Sequence, residues 1–215
     1  MIAPPERLPE RDAAVEAMLP HVAFDGWTMR ALKAGLAEAG MPADEAALLF
    51  PLGPVDMIAV FCDLADRRMT EAAAALDETR LTARVRAIVA LRLEMNRPHK
   101  EAIRRALALL ALPRNAADGA KMTARTIDAI WHAAGDRSAD FSWYTKRAIL
   151  TAVYGTTLLF WLQDRGGDEA ETLAFLERRL RGAGRIGKIR GRVHAALNCF
   201  RPTRGQGPAP GQGPA

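Results

Sequence analysis

Few side chains in this 215-residue chain stand at the spacings that catalytic groups need. None of its four histidines has a glutamate three residues before it, so the Glu-x-x-His pairs of di-iron carboxylate sites are missing. The sequence also has no HExxH zinc motif and no serine in a GxSxG elbow. Asp63 and Asp66 are one helical turn apart, but two arginines follow them, which favours a solvated charged face. We therefore expect no catalytic residue, no bound metal and no enzymatic activity.

The glycine-rich stretch GAGRIGK at 182–188 matches both GxGxxG and GxxxxGK. Either phosphate-binding motif requires a strand before it and a helix after it. This stretch follows a predicted helix, and Ile189 stands where a P-loop needs Ser or Thr to hold magnesium. We interpret the match as a coincidence in a basic, glycine-rich segment and expect no cofactor there.

One cluster combines aromatic and charged side chains. Its members are spaced i, i+3, i+4 and i+7, so they lie on one face of one helix: Asp140, Trp143, Tyr144 and Arg147. Tryptophan, tyrosine and arginine are the residues that dominate protein–protein hot spots. Two interpretations are open at this point, a core helix with buried aromatics and a surface that binds a partner.

The run 148–163 follows this cluster and carries no charge. As a helix it would be about 24 Å long, which is shorter than the ~30 Å core of a bilayer. Its uncharged character predicts a central helix that is buried on most sides. Small and weakly polar residues within it would leave room for another molecule: Thr151, Tyr154, Gly155, Thr156 and Thr157.

Apolar periodicity and turn residues predict an all-α fold of about ten helices, without strands. The predicted units are a helix-turn-helix-like N-terminal subdomain (1–54), a helical bundle (55–180), a basic amphipathic helix (181–200) and a disordered tail (201–215). The helix in the DNA-reading position has the sequence ADEAALLF. No Lys or Arg lies between Lys33 and Arg67, whereas six acidic residues do, so DNA should be repelled. We expect no nucleic-acid binding.

Positive charge is concentrated at the C-terminus. Nine Lys and Arg residues and no acidic residue lie from Arg178 onward, so the net charge of +5 for the whole chain becomes −4 for residues 1–177. Apolar and basic stripes run side by side here, which is typical of a helix that lies on a membrane surface. The predicted membrane-binding residues are Arg185, Ile186, Lys188, Ile189, Arg192, Val193, Leu197 and Phe200. A last helix packed on the bundle is the alternative.

The segments LPHVAFDGWT at 19–28 and DFSWYTKRAIL, followed by VY, at 140–154 resemble the lipid-binding family of ubiquinone biosynthesis, which has a TetR-like fold. The resemblance extends from about Leu8 to about Phe200. It implies a TetR-repressor-like helical bundle that has lost its DNA surface and does no chemistry itself. It further implies that an isoprenoid quinone precursor is bound and presented to a partner, the di-iron demethoxyubiquinone hydroxylase, through Asp140, Trp143, Tyr144 and Arg147.

The resemblance also predicts an apolar cavity between helices as the lipid site. Its candidate lining residues are Leu107, Leu110, Ile127, Trp131, Val153, Thr156, Leu159 and Phe160. The same residues are equally consistent with an ordinary core. We expect no cofactor other than this lipid, and a homodimer is left open. The expected location is the cytoplasmic face of the inner membrane, or its matrix face in a mitochondrion, with peripheral attachment. The competing hypothesis is a TetR-like transcriptional repressor with a small-molecule pocket.

Overall fold

The computed structural model describes residues 2–136, 142–164, 166 and 169–183. The chain divides into two compact units, Met1–Leu180 and Arg181–Ala215. All regular elements of the described residues are helical, which confirms the all-α prediction. Within that part the α-helices are α1 (Pro9–Asp25), α2 (Met29–Glu38), α3 (Ala46–Leu49), α4 (Pro54–Ala73), α5 (Leu81–Met95), α6 (Lys100–Leu110), α7 (Ala116–Ala133), α8 (Ser142–Gln163) and α9 (170–183). Most of the predicted basic helix, and the whole predicted tail, lie outside the described residues.

Several helix ends follow directly from local sequence. Thr28 caps α2, because its Oγ1 accepts a hydrogen bond from the Ala31 N–H at 3.2 Å. Gly26 ends α1 with a φ of 71°, a conformation that glycine adopts without strain. Residues Arg97–His99 form a 3₁₀ turn, and the α-helix α6 begins after it at Lys100.

The N-terminal helices pack tightly around an apolar core. A Cβ atom on Gly35 of α2 would lie 2.4 Å from the carbonyl oxygen of Ala17 in α1, so only glycine allows these helices to approach so closely. Trp27 is buried in the turn between them and donates its indole N–H to the carbonyl of Ala102 at 2.8 Å. This bond joins the α1–α2 turn to α6.

Ion pairs join α1, and the residues just before it, to α4. We refer to this set as the α1/α4 clasp. It comprises Arg7–Asp63 at 2.8 Å, Arg67–Asp12 at 2.7 Å, Arg11–Asp56 at 2.5 Å and Arg68–Glu16.

The prediction that Asp63 and Asp66 lie on a solvated face is wrong. Both are buried, at 5% and 7% exposure. Asp63 accepts hydrogen bonds from Arg7 and Arg67, and these hold the pKa of its carboxyl below the ordinary value although burial opposes the shift. Apart from Arg67, the partners of these two carboxylates are distant in the chain: Arg7 for Asp63, and Arg92 and Thr126 for Asp66. The local sequence does not reveal them.

The prediction that α8 is buried on most sides holds except for one exposed face. Its buried side includes Leu150, Val153, Tyr154, Thr157 and Trp161, whereas exposed residues occupy the other side: Tyr144, Ala148, Thr151, Ala152 and Leu159. Helical geometry places these five within about a third of the helix circumference. We call them the α8 open face. Its one threonine, Thr151, donates its hydroxyl to the Arg147 carbonyl of the same helix at 2.8 Å.

Among the described residues, no single helix has both the length and the apolar character needed to cross a membrane. One bent pair, Ala43–Leu49 with Pro54–Ala73, meets the length and composition requirement only when its two parts, which lie at 84°, are taken together.

Candidate functional site

The aromatic-basic cluster lies at the start of α8, beside α7. Trp143 and Tyr144 pack edge to face with ring centroids 4.7 Å apart, and Tyr144 is 69% exposed. The Arg147 guanidinium lies over the Trp143 ring, 3.7 Å from the ring centroid. Arg147 also donates from Nε to Asp128 of α7 at 2.5 Å. The structure therefore brings three predicted residues together, and Asp140 lies outside the described residues.

Two buried N–H groups near this cluster have no hydrogen-bond acceptor in the described part of the chain. They are the Trp131 indole Nε1 and the Arg147 Nη1. The Nζ of Lys146 lies nearby. It pairs with Asp136 at 2.8 Å and is 5.8 Å from the centroid of the Trp131 ring. A buried donor without an acceptor is costly, so this position favours an incoming oxygen atom.

The eight predicted lipid-binding residues are distributed over three helices. Leu107 and Leu110 of α6, together with Trp131 of α7, are half-buried, and Ile127 of α7 is fully buried. The other four belong to α8 and form a gradient: Leu159 is exposed, Thr156 and Phe160 are half-buried, and Val153 is buried. The four therefore run from the edge of the α8 open face into the core. The Phe160 ring also stacks on the Phe175 ring of α9, with ring centroids 4.5 Å apart.

A pocket of about 90 Å³ is present on a different side of the bundle. It lies between α1, α4 and the turn from α5 to α6, and none of the eight predicted lipid-binding residues lines it. The helices that carry those residues are packed together in this structure, so their assignment to a lipid stays a prediction.

A buried polar network occupies the centre of the bundle, and the sequence analysis missed it. Arg92 of α5 pairs with Asp66 of α4 at 2.6 Å and donates from Nε to the Tyr154 hydroxyl of α8 at 3.0 Å. Thr126 of α7 donates to Asp66 at 3.1 Å. The network thus takes one side chain from each of four helices. Asp66 could have indicated this network from the sequence, because it is a charged residue on an otherwise apolar side of α4.

Burial dominates the electrostatics of this network. It raises the pKa of the Asp66 carboxyl above its ordinary value, although the positive charge of Arg92 opposes the shift. It also raises the pKa of the Tyr154 hydroxyl, which therefore stays protonated and polar near neutral pH. The adjacent Cys62 thiol has its pKa raised to about 11 by burial and by Asp66, so it is a poor nucleophile.

The described residues contain no group of three or more His, Cys, Asp or Glu side chains that could hold a metal ion. Their strongest unsatisfied features are the donors at α7/α8 and the uncharged open face beside them. This arrangement can bind an apolar or aromatic molecule and an oxygen acceptor.

The class of protein is shown first by the fold. A crystal structure of a TetR transcriptional regulator from Nitrosomonas europaea ATCC 19718 superposes with a TM-score of 0.66. The match covers 82% of this chain and 99% of that regulator, at 23% sequence identity. The chain therefore has a TetR-like all-α fold, as predicted.

Sequence comparison shows which proteins the chain resembles. Residues 116–187 match the model of the COQ9 family. Proteins named ubiquinone biosynthesis protein COQ9-A, mitochondrial, from Xenopus laevis and ubiquinone biosynthesis protein COQ9, mitochondrial, from Xenopus tropicalis are 37% and 36% identical to this chain, over 182 and 193 residues. The human protein of the second name is 34% identical over 183 residues. The predicted resemblance to proteins of ubiquinone biosynthesis is therefore confirmed.

These alignments cover most of this chain but only part of each relative. They include 80%, 85% and 80% of the chain for the X. laevis, X. tropicalis and human proteins, respectively. The corresponding shares of the relatives are 57%, 59% and 56%, so the chain spans less than two thirds of their length.

Proposed function

We propose that this chain is a non-catalytic accessory protein of ubiquinone biosynthesis. It binds an isoprenoid quinone precursor and presents it to the di-iron demethoxyubiquinone hydroxylase at a membrane surface. The homology to proteins named for ubiquinone biosynthesis supports the pathway. The observation that supports lipid binding and presentation to the hydroxylase is the α8 open face. It is uncharged and continues from the aromatic-basic cluster.

The α8 gradient supports lipid binding. From Leu159 through Thr156 and Phe160 to Val153, side chains of one helix lead from solvent to the core without a charge. A Cβ atom on Gly155 would meet nothing within 4 Å, so the helix surface there is accessible to a ligand. An isoprenoid tail gains about 25 cal/mol for each Å² of apolar surface that leaves water. Burial beside α8 would therefore lower the cost of lifting the tail out of a bilayer.

The aromatic-basic cluster supports partner binding. Tyr144 offers an exposed ring, Trp143 supports it edge to face, and Arg147 is held in place by Asp128. The two buried donors, from Trp131 and Arg147, would be satisfied by a carboxylate or carbonyl oxygen of the hydroxylase. An aromatic anchor beside buried donors is a common arrangement in interface hot spots.

Membrane attachment is assigned to the basic C-terminal segment, residues 181–200, most of which lies outside the described residues. This segment would bring the lipid-binding bundle to the bilayer from which the precursor is taken. The mitochondrial names of the relatives suggest the matrix face of the inner membrane for a eukaryotic source, or the cytoplasmic face for a bacterial one.

The lipid part is tested by purifying the native protein, extracting bound lipids and identifying them by mass spectrometry. The expected result is an aromatic precursor with an isoprenoid tail. If the extracts contain no isoprenoid compound, the lipid assignment is wrong.

The partner part is tested with Tyr144→Ala, measuring affinity for the purified hydroxylase. Because Tyr144 is 69% exposed, the variant should unfold at the wild-type temperature. It should bind the hydroxylase more weakly by about 2 kcal/mol or more. Gln163→Ala is the matched control, an exposed residue about five turns farther along the same helix. Wild-type affinity in Tyr144→Ala would place the docking surface elsewhere.

A further inference from the structure

The pocket between α1, α4 and the α5–α6 turn has an apolar wall, and we call it the corner pocket. The wall is formed by Leu19, Phe61, Leu64, Ala65 and Met95. Phe61 is its aromatic member and packs against Trp27 with ring centroids 5.5 Å apart. Ring-shaped ligands pack well on such a wall, because aromatic pairs prefer tilted or edge-to-face contacts at this distance.

The other lining residues are polar but carry no net charge. Glu16 and Arg68 form an ion pair with each other, so their charges cancel. Asn96 is buried and donates its side-chain N–H to the Arg92 carbonyl at 2.8 Å, and its side-chain oxygen can accept a further bond. His99 stands edge-on to Phe61, with ring centroids 6.2 Å apart. Asn96 and His99 therefore provide the polar contacts of the pocket without adding charge.

The size of the corner pocket limits what can occupy it. Its volume of about 90 Å³ is several times the ~10–15 Å³ that one water molecule needs in a cavity, and smaller than the ~150 Å³ of a closed cavity that binds benzene. The exposed fractions of Met95, at 37%, and Arg68, at 47%, mark an open side. A single ring can occupy such a space with part of its edge in the opening, whereas most of an isoprenoid chain would lie outside it.

From these observations we propose that the corner pocket binds a small uncharged ring that carries a hydroxyl or carbonyl oxygen. The ring lies against Phe61, and its oxygen bonds to Asn96 or His99. This site goes beyond the lipid site proposed above and does not depend on it, because none of the lipid-binding candidates lines the pocket.

The protonation of His99 supports an uncharged ligand. Burial, with the positive charge of Arg68, lowers the pKa of the His99 imidazole, and the negative charge of Glu16 opposes this shift only in part. The ring is therefore neutral near pH 7, with one N–H donor and one nitrogen acceptor. A neutral imidazole can bond to either a hydroxyl or a carbonyl, whereas it gives an anion no charge attraction.

The test is a titration of the full-length protein with phenol, followed by NMR. The expected result is a saturable shift of the His99 and Phe61 ring signals and of the Met95 methyl signal, with little change at the aromatic rings of α8. Benzoate, a ring of the same size with a negative charge, should bind more weakly. If phenol does not shift these three residues in a saturable way, or if benzoate binds as tightly, the proposal is wrong.

Ala65→Leu tests the position of the ring, because the larger side chain fills the pocket from α4. It should weaken phenol binding by roughly tenfold or more. Ala108→Leu is the control, since this exposed alanine of α6 does not line the pocket and should leave the affinity unchanged. Equal phenol affinity in Ala65→Leu and wild type would overturn the assignment. If Ala65→Leu fails to fold, the NMR titration of the wild-type protein with phenol still shows whether the ring binds in the corner pocket.

Discussion

Asp66 of α4 and Arg92 of α5 meet at 2.6 Å inside the bundle, and each is more than nine-tenths buried. Thr126 and Tyr154 complete the contacts, so the pair also connects α7 and α8. Buried ion pairs are weak contributors to stability as units, but the loss of one partner leaves an uncompensated charge. The packing of four helices therefore depends on this pair staying intact.

Replacing Arg92 by methionine should destabilise the protein by about 3–5 kcal/mol, because Asp66 would then be buried without its partner. Urea unfolding followed by circular dichroism measures this change. The exposed pair Lys121–Asp118, at 2.9 Å, provides the control. Lys121→Met should alter the free energy of unfolding by less than about 1 kcal/mol.

The double variant Asp66→Leu/Arg92→Met removes both charges at once. Its stability should lie well above that of Arg92→Met alone, since no buried charge remains. If the double variant is as unstable as Arg92→Met, the uncompensated charge is not the cause of the loss.

Thr156→Phe should reduce the isoprenoid lipid that co-purifies with the protein, because a half-buried residue of the α8 gradient becomes a bulky ring. Thr70→Phe is a matched control on α4, outside the α8 open face. Both threonines are half-buried and donate to the carbonyl four residues earlier, at 2.7 Å for Thr156 and 2.8 Å for Thr70. Mass spectrometry of extracted lipid and circular dichroism provide the two measurements. Equal lipid yields from the two variants would contradict the proposed position of the lipid.

The stability of the protein should fall in mild acid partly because of His99. Its pKa in the folded state is lowered by burial, so the unfolded chain takes up this proton first as the pH drops. The contribution is fully present above the unfolded pKa of about 6.5 and is lost as the pH falls through and below that value. Thermal unfolding between pH 7 and about pH 5 should show a shallower decline for His99→Gln than for wild type. Parallel declines would exclude this role.

Truncation after Leu180 should abolish binding to anionic liposomes. The removed segment carries most of the basic residues from Arg178 onward, and each one near an anionic surface contributes about 1 kcal/mol. Co-flotation with vesicles containing phosphatidylserine measures this binding, and vesicles of phosphatidylcholine alone serve as the control. High salt should also release the intact protein. Equal flotation of truncated and intact protein would refute the membrane assignment.

The sequence predicted features that depend on neighbouring residues. The cap at Thr28 and the end of α1 at Gly26 follow from side-chain chemistry and backbone preference within one turn. The contact of Trp143 with Arg147 likewise follows from helical spacing. Such features need no knowledge of which helices meet.

The features that were missed depend on residues far apart in the chain. Asp63 accepts from Arg7, 56 positions away, and Asp66 accepts from Thr126, 60 positions away. A helical pattern identifies an acidic residue but does not identify its partner on another helix. The exposure of α8 was missed for a different reason. Lack of charge predicts burial, but uncharged and apolar side chains also make up much of any exposed protein surface.

The α1/α4 clasp has a mechanical consequence. Four ion pairs, from Arg7 just before α1 to Glu16 within it, connect the two helices at separate points. A sliding movement of α4 along α1 would therefore have to break each of them.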